Sequence, residues 1–359
     1  MVTASVRDVA AHAGVSVGTV SNVLNHPEKV LPETVAKVQE SIQALGFIRN
    51  DAARQLRAGR SKTIGLVVMD VRNPFFTDIA RGAEDRAAAA GLSILLGDSD
   101  QTSDREGAYL DLFEEQRVHG VLVSPVGDIT PRLERLRHRG IPTVLVDRKS
   151  ADGEFSSVSV DDFAGGQMAV EHLISCGRKR IAFLACSFDI RQVADRFAGA
   201  RAAVAAHPGV TLEVIEIDSL TVIAGRLAGE ALVRRQPQDR PDGIFTVNDL
   251  IAVGVLQALV MLGNVHVPEE ISLIGYDDID FAATAVVPLT SIRRPSALIG
   301  RTAMEILLEE AGQAELEPRQ VVFQPELVVR ESTVGRVASE TPDRVIRLTT
   351  GRNNAATTR

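Results

Sequence analysis

The chain has 359 residues, 45% of them apolar and 24% charged, with a formal net charge of −8 at pH 7. That length implies two or three domains with a substantial core, and no apolar run approaches the roughly 20 residues of a membrane span. Residues 1–60 hold seven Lys/Arg against five Asp/Glu, a net of +2 that leaves −10 on the remainder. A positive amino-terminal segment on an acidic body is the footprint of a chain that meets phosphate with one part only.

The first elements in chain order are short helices. Ser5-Val6-Arg7-Asp8 has the S-x-x-D form of a capping box, in which a hydroxyl and a carboxylate satisfy backbone N–H groups at a helix start. A helix is predicted from there to about Ala13. Gly14 supplies a tight turn, and Ser16 caps a second helix reaching Asn25. At about 100° per residue, Val20, Val23 and Leu24 fall on one side of it, and Val17, Gly18, Ser21, Asn22 and Asn25 on the other. An apolar face that packs and a small polar face that does not is helix-turn-helix patterning, whose second helix lies in the major groove of DNA. A third helix has Pro32 in its first turn, Val35, Val38, Ile42 and Leu45 as its buried stripe, and Gly46 at its end. Asn50 caps a further segment over 51–58, stopped by Gly59. So short a helix is mostly unfolded alone in water and needs a partner helix or nucleic acid to form.

Val6-Arg7-Asp8-Val9-Ala10, Gly14-Val15-Ser16-Val17-Gly18-Thr19-Val20-Ser21-Asn22-Val23-Leu24-Asn25 and Ala53-Arg54-Gln55-Leu56 resemble the head and hinge of the lac repressor (LacI/GalR) family. The likeness extends through the body to about Ser332. It implies a homodimer on a pseudo-palindromic operator in double-stranded DNA. It also implies paired hinge helices that insert Leu56 into the minor groove as an apolar wedge, with Arg54 and Arg57 near phosphates. The DNA-contacting set is then Ser16, Val17, Gly18, Thr19, Ser21, Asn22 and Asn25 with those three hinge residues. Gly18 has no side chain to read with, and Asn22 replaces a more usual arginine. Asparagine pairs with adenine, where arginine forks onto guanine. Leu31 replaces the hydroxyl residue that often caps the third helix.

From Thr63 short apolar runs alternate with helical stretches. Strands are predicted over 64–69, 93–96, 120–123 and 143–146, with helices over 76–90, 105–118 and 131–139 between them. A second series starts near Phe163, with strands over 181–185, 213–217, 243–246 and 272–275 and helices over 165–175, 193–206, 222–235 and 250–262. Repeated strand–helix–strand units mean parallel sheets with right-handed crossovers, and two series mean two Rossmann-like lobes. Residues 290–292, 298–310 and 321–330 are expected to cross back between lobes, as in the family. The expected fold class is α/β: an all-α helix-turn-helix head (1–48), a hinge (49–61) and a two-lobed body like the periplasmic binding proteins (62–332). A disordered polar tail (333–359) without leucine heptads favours a dimer over a tetramer.

Ligands of open α/β sheets bind beyond the carboxyl ends of the strands. Asp70, Asp98, Asp147, Asp218, Asn248-Asp249 and Asp277-Asp278 all stand there, although such residues often only cap the next helix. The resemblance assigns Asn73, Phe75 and Phe76 to the first lobe's side of the cleft, and Arg148, Arg196, Asn248 and Asp277 to ligand contacts. Leu220 stands where relatives often place an aromatic ring, and Arg294 replaces a common glutamine. Asp, Asn and Arg with scarce aromatics suit a polyhydroxylated ligand, and Arg294 points to an added anionic group. The expected effector is a sugar or sugar phosphate acting as inducer or co-repressor, with no cofactor.

The rival class is an enzyme. Gly14-Val15-Ser16-Val17-Gly18 matches G-x-S-x-G but opens a helix in a small helical unit instead of following a strand. A Rossmann-like enzyme with an accessory DNA head would carry G-x-G-x-x-G after its first strand, where Asp70-Val71-Arg72-Asn73-Pro74 stands. No catalytic role is therefore expected. Cys176 and Cys186 lack metal-type spacing and the seven histidines form no HxxxH pair, so no metal site is expected. Residues 1–15 contain no apolar core of an export signal, which points to the cytoplasm.

Overall fold

The computed structural model describes residues 4–47, 61–313 and 316–335. They form two compact units parted between Ser61 and Lys62. The hinge residues Arg54, Leu56 and Arg57 lie outside the described residues, as does the chain beyond Gly335.

The first unit has three helices, α1 (Val6–Ala13), α2 (Val17–Asn25) and α3 (Pro32–Ala44). The capping box closes in both directions. The Ser5 N–H donates to the Asp8 carboxylate at 2.7 Å, and the Asp8 N–H donates to the Ser5 hydroxyl at 3.4 Å. Gly14 ends α1 at φ 62°, the left-handed conformation that favours glycine. Val9, Ala10, Ala13, Val20, Val23 and Val38 form the core. Val35, Ile42 and Leu45 pack half-buried around it, because so small a core has no second layer to cover them. Leu31 begins α3 with no side-chain hydrogen bond. Pro32 softens that cost by removing one N–H that would need a partner.

The second unit contains two six-stranded sheets. The first lobe starts with β1 (Thr63–Val68), α4 (Pro74–Ala89), β2 (Ser93–Asp98), α5 (Ser103–Glu115) and β3 (Gly120–Val123). It continues through α6 (Thr130–His138), β4 (Thr143–Val146) and β5 (Ser157–Val160). The chain then crosses to α7 (Asp162–Ser175), β6 (Arg180–Ala185), α8 (Arg191–Ala205), β7 (Thr211–Glu216) and α9 (Val222–Arg234). The second lobe goes on with β8 (Gly243–Thr246), α10 (Asp249–Gln257), β9 (Ser272–Asp277), α11 (Asp280–Thr284) and β10 (Thr290–Arg293). Helix α12 (Ser296–Gly312) and β11 (Gln320–Phe323) return to the first lobe; β12 (Glu326–Val328) and α13 (Glu331–Val334) end in the second.

The strand orders are β11-β5-β4-β3-β1-β2 and β12-β10-β9-β8-β6-β7. All pairings among the described residues are parallel except β10 with β12. The two expected lobes are present, with several differences. Residues 290–292 do not cross back but stay beside β9 in the second sheet as β10; the return to the first lobe runs through α12 and β11. Strand β5 was not anticipated: Ser-Val-Ser-Val is a weak apolar signal, and the strand forms because β4 and β11 flank it. Residues 321–330 make two strands in different sheets, parted at Gln324-Pro325, where proline cannot donate to a ladder. The expected helix over 250–262 is α-helical to Gln257 and finishes as a π turn over Ala258–Leu262. Ordered structure continues past 332: Ser332 and Thr333 are buried, and the Ser332 hydroxyl donates to the Leu273 carbonyl at 2.6 Å.

Helices α7 and α8 approach closely enough to set the site. A Cβ on Gly166 would lie 2.0 Å from the carbonyl oxygen of Arg196, so only glycine allows the contact. That approach brings Asp162, at the start of α7, against Arg196 on α8.

Candidate functional site

Helix α2 exposes Val17, Gly18, Asn22 and Asn25. The Asn22 side chain makes no hydrogen bond among the described residues and is available to a base edge. Ser16 and Thr19 are engaged in capping: the Ser16 hydroxyl accepts from the Thr19 N–H at 3.0 Å and meets the Thr19 hydroxyl at 2.9 Å. Asn25 folds back, its amide donating to the Ser21 carbonyl at 2.8 Å and to the Ser21 hydroxyl at 3.3 Å. Four of the seven expected helix contacts therefore shape the helix, and Val17, Gly18 and Asn22 carry its open surface. Residues 4–47 hold three Lys/Arg against four Asp/Glu, so the three-helix unit is not itself basic. The positive balance of residues 1–60 comes from Arg49, Arg54, Arg57 and Arg60 against Asp51.

In the second unit a cleft is lined by residues that follow β1, β4, β8, β9 and β10. It brings together Asn73, Phe76, Arg196, Asn248, Asp277 and Arg294, joined by Asp70, Asp147 and Gln192. The space enclosed among them is about 40 Å³, against about 300–1,000 Å³ for small-molecule sites.

The centre of this cluster is a buried ion-pair network. Arg294 Nη1 donates to Asp147 Oδ1 at 2.6 Å and its Nε to Asp277 Oδ1 at 3.0 Å. Its guanidinium carbon lies 3.4 Å from the centre of the Phe75 ring, a cation–π contact. Asn73 accepts from the Phe75 N–H at 3.1 Å, capping α4, and its amide donates to Asp277 at 2.9 Å. Asp147 belongs to the first lobe and Arg294 to the second, and Asn73 and Asp277 divide the same way. Arg294–Asp147 and Asn73–Asp277 are thus polar contacts that hold the lobes together. Asp147 and Asp277 have positive φ, 58° and 108°, conformations that cost energy for non-glycine residues and that the network sustains.

Arg196 lies deeper. Its Nε donates to Asp162 at 2.8 Å, its Nη1 to the Val247 carbonyl at 2.6 Å, and its guanidinium stacks 3.7 Å from the Tyr276 ring centre. The Tyr276 hydroxyl donates to Asp162 at 2.9 Å. A guanidinium has five N–H groups, so Arg196 keeps donors for a ligand. Asn248 accepts from the Ile251 N–H at 2.9 Å as the cap of α10, and its amide reaches the Leu220 carbonyl at 3.3 Å. It is a cap that also lines the cleft.

Burial pushes the Asp147 carboxyl up to about 6, with Arg294 pulling it down and Asp162 pushing it up. Burial pulls the Arg294 guanidinium down, but Asp147 and Asp277 outweigh it and hold the group above its usual value. Arg294 is therefore a neutralised cation, which corrects its reading as a waiting anion receptor.

Two other expectations change. Phe75 lies beneath Arg294 and does not line the cleft centre. Arg148 donates to the Gly127 carbonyl at 2.8 Å and faces a separate space with Lys149 and Arg191. Of the strand-end acids, Asp70, Asp147 and Asp277 reach the cleft. Asp249 instead accepts from the Ser291 hydroxyl at 2.7 Å and the Ile279 N–H at 2.9 Å. Asp278 pairs with Arg293 at 2.8 Å and Arg330 at 2.6 Å. Gln192 was missed. Its amide donates to the Asp147 carbonyl at 2.6 Å, and its Oε1 is buried with no partner. The signal was its place four residues before Arg196, on the same helix face.

Among the described residues no group of three or more His, Cys, Asp or Glu is placed to hold a metal, and no helix is long and apolar enough to cross a membrane.

Residues 5–50 match the family model described as bacterial regulatory proteins, lacI family, and residues 170–333 match a periplasmic binding protein-like domain. The HTH-type transcriptional regulator RegA of Clostridium saccharobutylicum is 34% identical over 334 residues, 92% of this chain and 99% of that one. Among solved structures, the transcriptional regulator CelR in complex with cellobiose is 30% identical with a TM-score of 0.67, over 92% of this chain and 99% of that one. The lac repressor dimer bound to operator and an anti-inducer is 25% identical with a TM-score of 0.77, again over 92% and 99%. With a helix-turn-helix unit ahead of a two-lobed body, and a relative matched along nearly its whole length, the chain belongs to the lacI family of bacterial regulatory proteins.

Proposed function

We propose that this DNA-binding transcription regulator is a cytoplasmic homodimeric repressor without catalytic activity, and that a sugar-like effector in the interlobe cleft sets its operator affinity. The carrying observation is that Arg294–Asp147 and Asn73–Asp277 tie the lobes together with donors and acceptors that ligand hydroxyls also satisfy. With only about 40 Å³ enclosed, a sugar enters by exchanging for those contacts, and the lobes then change their separation. A coupling of roughly 1–3 kcal/mol between ligand and lobe position suffices for regulation. Arg196, Asn248 and Asp277 hold the ligand.

At the DNA, Asn22 reads a base edge in the major groove, Leu56 supplies the minor-groove wedge, and Arg54 and Arg57 meet phosphates. The named lac repressor structure is a dimer, and Leu95 and Leu96 on edge strand β2 with Ile223 and Leu227 on α9 are exposed apolar side chains suited to such an interface. The test uses full-length protein, an operator selected from random duplex DNA, and a panel of mono- and disaccharides in a fluorescence binding assay. A sugar that releases the operator marks an inducer, and one that tightens it marks a co-repressor. Operator binding that no panel member alters would remove the effector part and leave the DNA part standing.

A further inference from the structure

Helix α2 offers DNA a surface without charge. Its nine residues include no acidic or basic side chain, so no arginine fork or lysine on it reaches a guanine. Val17, its first residue, is 47% exposed and takes no part in the apolar core, which Val15 and Val20 on either side do join. A single exposed valine needs no explanation on an ordinary surface. Here it stands in the first turn of the helix, and the N-terminal residues of a recognition helix are the ones that meet base edges. The apolar group that a base pair presents in the major groove is the thymine C5-methyl.

Gly18 supplies an independent observation. Among the described residues, a Cβ there would meet one group beyond its chain neighbours and its own helix backbone, the Ser16 hydroxyl at 3.5 Å, which is an ordinary contact. Its backbone is not in the left-handed region, so neither packing nor conformation requires glycine. Glycine within a helix weakens it relative to alanine. A glycine that weakens its helix and relieves no clash within the chain leaves room for something outside it. That room is exposed and lies one turn before Asn22 on the same face. Valine and asparagine are short side chains, and a helix surface without a Cβ at Gly18 approaches the groove floor closely enough for both to reach.

We propose that Val17 and Gly18 together read a thymine: its C5-methyl occupies the space over Gly18 and packs against the Val17 side chain. This rests on the placement of α2 in the major groove stated above. It gives Gly18, which has no side chain to read with, a part in recognition as the seat of the methyl group. Uracil and cytosine lack that methyl and leave Val17 facing water, so the discrimination comes from apolar contact and close fit.

Binding of the full-length protein to its selected operator, with each thymine replaced in turn by deoxyuridine, tests it. One position in a half-site should lose about fourfold in affinity, the worth of burying one methyl-sized group. Val17→Ala should weaken binding to the thymine operator by a similar factor and leave binding to the uracil operator within about twofold of the parent, so that the two changes do not add. Gly18→Ala should weaken operator binding about tenfold, as overpacking does, while amide exchange over α2 is unchanged or slower because alanine is the better helix former. Uracil tolerated at every position, or a thymine preference that survives Val17→Ala, overturns the reading of the methyl. A Gly18→Ala variant that binds as well as the parent overturns the close seating. Equal binding of selected and random duplexes instead overturns the placement of α2 in the groove, and with it the role of Asn22.

Discussion

Arg294 and Asp147 meet at 2.6 Å across the boundary between the two sheets, one following β10 and the other following β4. Neither is exposed to any useful extent, and their surroundings hold two guanidinium groups, Arg196 and Arg294, against three carboxylates, Asp147, Asp162 and Asp277. The network carries one surplus negative charge; the rise of the Asp147 pKa follows from burial, opposed by Arg294 and Arg196 and aided by Asp162. The lobes are thus joined by contacts whose strength depends on charge balance, which an apolar seam would lack.

Removing Arg294 should be severe. Arg294→Ala leaves Asp147 and Asp277 as buried carboxylates without their cation and opens a void above Phe75. Loss of one partner from a buried pair costs roughly 3–5 kcal/mol. Urea denaturation of the full-length variant should show that loss, and a change below about 1 kcal/mol would mean the network contributes little.

Asp147 gives stability a pH dependence. Its folded pKa of about 6 lies above the ordinary 3.8, so the folded chain keeps a proton that the unfolded chain releases between those values. The stability this proton supplies is fully present below about pH 3.8 and is lost as pH rises through about 6, at most about 3 kcal/mol. Asp147→Asn does not titrate and should flatten the stability profile between pH 4 and 7. Parallel profiles for the two proteins would assign the pH dependence to another group.

Gly165 makes room for Tyr276. A Cβ there would lie 2.2 Å from the Tyr276 hydroxyl oxygen, and that hydroxyl holds Asp162 in place for Arg196. Gly165→Ala should cost roughly 1–3 kcal/mol, as overpacking does. Combining it with Tyr276→Phe, which deletes the clashing oxygen, should recover part of the loss in thermal melts. A double variant no more stable than Gly165→Ala would place the clash elsewhere.

Asn22 should govern which base is chosen more than how tightly DNA is held. Asn22→Arg is expected to move preference toward guanine at one operator position, by about 1–3 kcal/mol. Selection from random duplexes with both proteins checks this, and an unchanged preferred base removes Asn22 from the reading set.

The salt dependence should reside after the helical unit. Residues 4–47 carry more acids than bases, and the arginines cluster over 49–60. Replacing Arg54 and Arg57 with glutamine is expected to flatten the salt dependence of operator binding by a slope of about 2, since each phosphate contact contributes about 0.9. An unaltered slope would remove Arg54 and Arg57 from the phosphate contacts and leave them to the other cations of residues 1–60.

The sequence alone determined the elements whose signals are local. The capping box at Ser5 and Asp8, the turn at Gly14 and the exposed Asn22 follow from neighbours three or four residues apart, and the alternation of apolar runs with helical stretches foretold two parallel-sheet lobes. It also marked Arg196, Asn248, Asp277 and Arg294 as cleft residues through the family motif. Partnership was decided by the tertiary structure. Arg294 looked like a free cation because Asp147 lies 147 residues earlier in the chain, and no periodicity links residues so far apart. Strand β5 has too weak an apolar pattern to declare itself and exists because β4 and β11 flank it. Arg148 and Gln192 gain their meaning only where the start of α8 packs beside the β4–β5 connection, since a charge or an unpaired amide oxygen is defined by what surrounds it in space.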